Sequence, residues 1–599
     1  MPPKQSATSN QAAQPRRSTN LTTLTLPFAL VLLAAAASTV SQLTLAPVYG
    51  SIPSSENHKT AILVSFAFGA GLQGYTRSKD FGGVLRWLAV WSCYVPVLQT
   101  LLLPFSGSLG PLWGPVLNGI LSCHTVLVPC AYAVAAALDG AYAEYYGANA
   151  RFDGWRRWLA FIVVGLMFLE NEKRTSGQIT WIFSMQPKAS PVRLQLFGAA
   201  SFALVSFVSS EKLPSLRDVS LLFLAIPAIL HAIFLNPQVD IYARTNDALA
   251  THRWTLIDRA WSSTGYISVL ESQENKYRVL RCDHSLLGGE WLLTQERASK
   301  EGWRVNEPIY SAFEMLEAVR LMQPATHETA VPDTSAETLV IGLGIGTAPK
   351  AMLGHGIQTT IIELDPVVHR FATDYFSLPS NHTSVLRDAV KWVAEQAANI
   401  EIDPNDDTLR YDYIIHDVFT GGAEPLALFN TNFLRNLRTL LRPKTGRIAI
   451  NYAGDLSLPL TRLVLNTIAN TFSPTQCKIF RDAPPEKHAK SKIKQDQDFL
   501  NMVVFCRNND DNESNANADA PPISFRAPTE KDFLGSLSRQ HYLLPRPEME
   551  IPFPTVDTTA KQVLEPGDEV TWASVQAESA QRHWHIMRKV LPDAVWELW

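Results

Sequence analysis

Three glycines and two acids are the residues whose types and spacing first suggest chemistry. Gly342, Gly344 and Gly346 follow a β-rich run at 338–341 and open a helix-like stretch in ETLVIGLGIGTAPKAMLGHGIQTTIIELDP. Glycines without a Cβ allow positive φ and let a ligand approach the backbone, and the amides of the helix beyond can meet a polar group. Glu363 ends the next β-rich run about twenty residues on, where a carboxylate can accept from both hydroxyls of a ribose. Asp388, in VLRDAVKWV, follows a third β-rich run and is placed to hold an adenine amino group or its surroundings. The plainer reading of Asp388 is an N-cap for the helix it precedes, and both roles can coexist. Together these residues describe a nucleoside site.

Positioning such a site takes alternating strands and helices. Strands are expected at 338–341, 359–363, 384–386, 413–416, 447–451, 478–481 and 502–506, with helical patterns between most of them. That order makes a doubly wound, Rossmann-like α/β sheet whose ligand lies over the carboxyl ends of its strands. The last two strands, joined by the polar PPEKHAKSKIKQDQD, form an antiparallel hairpin. Ahead of the sheet, 266–270 and 277–281 read as a small β-hairpin and 310–322 as a helix.

The first ~240 residues have another character, with apolar runs near the ~20 residues that cross a bilayer. These lie at 21–46, 60–76, 84–105, 112–138, 155–170, 194–209 and 217–236, and a short eighth at 179–185 is either a crossing or an interfacial piece. The first reads as a signal anchor, because its apolar run continues to Ala46 and further spans follow. Arg16, Arg17, Arg77, Lys79, Arg86, Arg151, Arg156 and Arg157 fall on one side, which places the N-terminus in the cytosol. A cytosolic nucleoside donor then calls for a cytosolic soluble domain, an even number of crossings, and unmodified sequons at Asn381-His382-Thr383 and Asn512-Glu513-Ser514. His124 and His231 lie within spans with no carboxylate partner evident, and read as satisfied inside the bundle.

The expected division is a tail at 1–20, a helical membrane domain at 21–236, and a small β-element with its connecting helix at 255–335. The Rossmann-like domain follows at 336–507, then a low-complexity linker at 508–522 and a tail at 523–599. The tail's Trp572, Trp584, Trp596 and Trp599 are expected to pack back on the domain. A net charge of -4 without a basic stripe excludes a nucleic-acid partner. The six cysteines form no CxxC pair or Cys/His cluster, so neither a disulfide framework nor a metal site is expected.

VIGLGIGTAPKAML, IIELDP, RDAVKWV and YDYIIHDVFTGGAEPLALFNTNFLRNLRTLLRP resemble the spermidine/spermine synthase (aminopropyltransferase) superfamily, over residues 261–507. The likeness is greatest to its membrane-fused members, and it implies a class I S-adenosylmethionine-binding fold. Under that resemblance Glu363 binds ribose, Asp388 binds adenine, Asp417 positions or deprotonates an attacking amine, and Tyr310 falls near the family's tyrosine. Three positions depart from the pattern: Ile345 replaces the aspartate that pairs with the aminopropyl ammonium, Thr420 replaces the second acid of DxxD, and Asn451 replaces a glutamine. Each departure removes a way to hold a cation, with Glu424 a candidate replacement, and the first admits ordinary S-adenosylmethionine beside its decarboxylated form. The expected function is aminopropyl transfer from decarboxylated S-adenosylmethionine to an amine. The alternatives are S-adenosylmethionine-dependent methyl transfer and a nucleoside-binding or inactive membrane scaffold. The implied partners are a lipid bilayer and a small-molecule or protein amine, with a homodimer left open.

Overall fold

The computed structural model describes residues 21–599 apart from 77–80, 147–153, 187–188, 209–219, 240, 325–330, 405, 420–421, 423, 485–498, 509–521 and 555–560. The apolar part of the chain is a helical bundle. Thr25–Tyr49, Val95–Leu121, His124–Ala143 and Pro191–Val208 are each long and apolar enough to cross a membrane. Two expectations about the spans are corrected. The run at 112–138 is two helices, Ser106–Leu121 and His124–Tyr146, because Ser122 leaves helical geometry with φ -119° and ψ -82°. The run at 155–170 and the short segment at 179–185 are one helix of 31 residues, Trp155–Met185. Its polar middle is rich in good helix formers and carries the Glu170–Arg174 ion pair one turn apart, so it continues the helix. That helix also brings Glu172 to 2.8 Å from His58, whose ring lies 6.0 Å from His124, so His124 is not remote from a carboxylate.

The rest of the chain builds two sheets. The first is an antiparallel meander of β1 (Trp254–Ser262), β2 (Gly265–Ser272), β3 (Tyr277–Cys282), β4 (Ser285–Trp291) and β5 (Glu307–Pro308). The expected small hairpin is its β2–β3 pair. The second contains β6 (Glu337–Ile341), β7 (Gln358–Glu363), β8 (Thr383–Leu386), β9 (Tyr413–His416), β10 (Arg447–Asp455), β11 (Cys477–Arg481), β12 (Phe499–Arg507) and β13 (Glu550–Ile551). Its order is β13-β11-β12-β10-β9-β6-β7-β8, parallel from β10 to β8 and antiparallel beyond. All seven expected strands form. Leu339, Ile341, Ile362, Ile414 and Ile448 pack into one face and Val340, Ile361, Ile415 and Ala449 into the other, which explains why these strands read as continuous apolar runs. Strand order reverses between β6 and β9, and a ligand crevice is expected at that switch point.

Cys477 and Cys506 sit directly opposite each other on β11 and β12 and form a disulfide, which corrects the expectation of none. Strand register, invisible in cysteine spacing, brings them together. The bond closes a loop with a sequence separation of 29. The paired Cys477→Ser and Cys506→Ser variant is expected to lose about 3.6 kcal/mol of stability by the chain-entropy estimate, read as a lower melting midpoint. An unchanged midpoint would show that the bond carries no stability.

The C-terminal segment returns to the sheets and wedges against the bundle. β13 pairs with β11, and the helix Ala573–Val590 lies with Trp584 Nε1 donating to the Val48 carbonyl at 2.9 Å. Fully buried Arg281 donates to the carbonyls of Pro47 and Val595, tying bundle, small sheet and C-terminal segment together. Trp584, Trp596 and Trp599 are buried and Trp572 is half-buried, so the tail's tryptophans do pack back. Of the expected linker, all but Asn508 and Pro522 lie outside the described residues.

Candidate active site

A cavity of about 550 Å³ opens at the carboxyl ends of β6, β7, β9 and β10. Gly342, Leu343 and Gly344 form one wall. Gly342 has φ 83°, and a Cβ there would lie 2.0 Å from the Asp417 carbonyl oxygen; at Gly344, with φ 53°, it would lie 2.4 Å from that of Leu287. The glycines are therefore demanded by close backbone packing against β9 and the small sheet as well as by any ligand. Gly346, φ 79°, precedes the helix Thr347–Gly354 and lies outside the cavity lining.

Glu363 accepts from the Leu343 amide at 3.0 Å and the Asp365 amide at 2.8 Å, so it clamps the glycine turn to the end of β7. Burial raises its carboxyl to about 7. Each of its oxygens keeps a second lone pair for a hydroxyl of a ligand. Asp388 lines the cavity and caps the helix Ala389–Ile402 by accepting from the Val390 amide at 2.9 Å. Ile345 does not face the cavity. It is 2% exposed and packs against Gly288 of β4, so the loss of an acid there leaves an apolar contact between the sheets.

Asp417 and Glu424 also line the cavity. Asp417 leaves the end of β9 and accepts from Asn451 Nδ2 at 2.8 Å, while Asn451 Oδ1 has no partner. Glu424 is 6% exposed and accepts from the Ala453 amide at 2.9 Å. Burial raises Asp417 to about 6 and Glu424 to about 8, and no cation opposes the shift at either. Tyr310 also lines the cavity, its buried hydroxyl unpartnered. Thr420 lies outside the described residues.

Several lining residues carry no sequence motif. The helix Ala573–Val590 contributes His583, Ile586, Met587 and Val590, and the bundle contributes Ser51. The His583 ring lies 4.8 Å from Phe419 and 6.0 Å from Phe499, which makes an aromatic slot beside the two acids. Burial lowers His583 to about 3, so it is neutral. The tail's density of tryptophan and histidine was the one available hint that it returned to the domain. Arg387, the arginine in the lining, pairs with Glu395 at 2.7 Å. The cavity thus presents Glu363, Asp388, Asp417 and Glu424 and suits cationic ligands. No group of three or more His, Cys, Asp or Glu placed to hold a metal occurs among the described residues.

No family model matches the chain. It is 37% identical over 588 residues to an N-terminal histidine N-methyltransferase of Emericella nidulans, covering 95% of this chain and 96% of that protein. A polyamine aminopropyltransferase of Vibrio vulnificus is 31% identical over 105 residues, 17% of this chain and 33% of that protein. Among solved structures, a probable spermidine synthase from Corynebacterium glutamicum covers 51% of this chain and 98% of its own at 14% identity and a TM-score of 0.31. Human methyltransferase-like protein 13 in complex with SAH covers 41% and 95% at 19% identity and a TM-score of 0.27. The full-length relative overturns the expectation of aminopropyl transfer from decarboxylated S-adenosylmethionine. Matching that relative from end to end, the chain is a transferase and belongs to the family of the Emericella nidulans N-terminal histidine N-methyltransferase.

Proposed function

We propose that this chain methylates a ring nitrogen of an N-terminal histidine, with S-adenosylmethionine as donor. The observation that carries the proposal is the pair of cation-free carboxylates, half-buried Asp417 and buried Glu424, in one cavity with the slot of Phe419, Phe499 and His583. An N-terminal histidine brings the complementary groups, a flat ring with an N–H and a nearby ammonium. The name of the full-length relative supports this substrate class.

On the donor side, Glu363 and Asp388 both line the cavity, and their proposed roles are to take the ribose hydroxyls and the adenine end. When bound, S-adenosylmethionine supplies a methyl carbon whose bond to sulfur breaks as the bond to nitrogen forms, the electron pair leaving with sulfur. Asp417 accepts a hydrogen bond from the other ring N–H, stabilises the charge that develops on the imidazole, and then takes that proton. Asn451 fixes the Asp417 carboxylate for this task. Glu424 holds the ammonium, and the aromatic slot orients the ring. The bundle's apolar helices are proposed to hold the enzyme in a membrane. The Cys477–Cys506 bond favours an oxidising compartment for the catalytic part over the cytosolic side expected from the loop charges.

The test is a purified full chain incubated with labelled S-adenosylmethionine and peptides beginning with His, N-acetyl-His or Ala, read by mass spectrometry. Methylation confined to the free His peptide is expected; its absence would overturn the proposal. Glu363→Ala is expected to weaken binding of S-adenosylmethionine about tenfold, since hydrogen bonds to a charged group contribute about 1.5–3 kcal/mol. Calorimetry showing unchanged donor affinity would remove Glu363 from the donor site.

A further inference from the structure

A second cavity, of about 130 Å³, lies where the helical bundle meets the small sheet, well apart in sequence from the glycine turn and the acids. Ala189, Ser190 and Pro191 close one side, at the start of the helix Pro191–Val208. Arg259 of β1, Tyr266 of β2 and Trp599 close the other. Arg259 Nη1, the Tyr266 hydroxyl and Trp599 Nε1 have no hydrogen-bond partner, although these residues are only 8%, 1% and 4% exposed. The two nitrogens can only donate, and the hydroxyl can donate.

The other polar side chains of the cavity wall are engaged. Gln238 Oε1 accepts from Thr100 and its Nε2 donates to the Glu597 carbonyl; Ser190 donates to the Gln238 carbonyl. The Tyr242 hydroxyl donates to Asp258, which also accepts from Tyr375. The Arg259 guanidinium donates to the Val239 carbonyl and lies 5.4 Å from the Tyr242 ring centroid, but no carboxylate ion-pairs with it among the described residues. A buried cation with unpartnered donors around it and no ion-paired carboxylate among the described residues is expensive unless an anion completes it. The space is worth roughly four waters at about 30 Å³ each, enough for a small oxyanion, whereas water alone leaves the charge uncompensated.

We infer that this cavity binds a phosphate group through Arg259, Tyr266 and Trp599. The chemistry is shared by free phosphate and by the phosphate of a lipid headgroup, and the position beside the ends of apolar helices makes both accessible. A phosphate oxygen accepts from each of the three donors, and the guanidinium supplies the charge-assisted contact.

The experiment uses the full chain in a neutral detergent and phosphate-free buffer. Its melting midpoint is followed against inorganic phosphate and, separately, short-chain phosphatidic acid, with chloride at equal ionic strength as control. A saturable rise that chloride does not reproduce is expected. Tyr266→Phe and Trp599→Phe should each shift its half-saturation about tenfold higher, as loss of one hydrogen bond to a charged group requires. Arg259→Leu should abolish the rise; the two conservative variants carry the test if that protein does not fold. A response to inorganic phosphate identifies a free anion, and one to phosphatidic acid alone identifies a headgroup. No response to either, or a response that both conservative variants leave unchanged, would overturn the inference.

Discussion

Asp417→Asn is expected to lower the rate of methyl transfer at least a hundredfold while leaving S-adenosylmethionine affinity within about twofold, the range general acid–base contributions span. The variant keeps the shape of the side chain but cannot take a proton. Glu363 and Asp388 are each held by backbone amides and not by the Asp417 side chain, which accepts from Asn451, so donor contacts survive the change. A purely structural Asp417, holding only Asn451, would instead lower the melting midpoint and affect binding and rate together.

The pH profile separates these cases. Burial raises Asp417 to about 6, so the carboxylate becomes competent as pH rises through that value. The acceptor imidazole, ordinarily near 6.5, must lose its own proton over much the same range. At saturating peptide the wild-type rate should therefore fall on the acid side with two protons, and the Asp417→Asn rate with one. An Asn variant that keeps the full rate, or keeps a two-proton acid limb, would remove Asp417 from the chemistry.

Legibility differed sharply between the two halves of the site. The donor side was readable because a strand, a glycine turn and an acid at the next strand's end are consecutive in the chain, and local geometry alone places them together. Even there the sequence could not show that Gly342 faces the Asp417 carbonyl or that Ile345 points into the core at Gly288. The acceptor side was only partly readable. Asp417 and Glu424 follow β9 and Asn451 lies on β10, all within the strand pattern, but His583 arrives from a helix far along the chain and Ser51 from the bundle. Contacts at such separation leave no periodicity or spacing to read. The span count failed for a related reason, since composition registers apolar length but not the break at Ser122 or the polar turn that the helix Trp155–Met185 runs through. Cys477 and Cys506 were missed because register, which sets their pairing, is a property of two strands at once.

Glu424→Gln is expected to raise the KM for a His-initiated peptide at least tenfold with little change in kcat, because it removes an ionic contact made equally in ground and transition states. The preference for a free over an acetylated amino terminus should shrink with it. Stability should move the other way. Glu424 is raised to about 8 by burial, above an unfolded value near 4.3, so its proton stabilises the fold fully below about 4 and that stabilisation is lost as pH rises toward 8. The ligand-free wild-type chain therefore carries a destabilising buried charge at alkaline pH that a glutamine, neutral throughout, does not. At pH 8 the variant should melt higher than wild type, and at pH 5 the two should differ little. A residue that merely supports the fold through the Ala453 amide would lose affinity and stability together. Lower affinity together with a higher melting midpoint marks a carboxylate kept buried for a cation that arrives with the substrate, and a variant weakened in both affinity and stability would assign Glu424 to the scaffold.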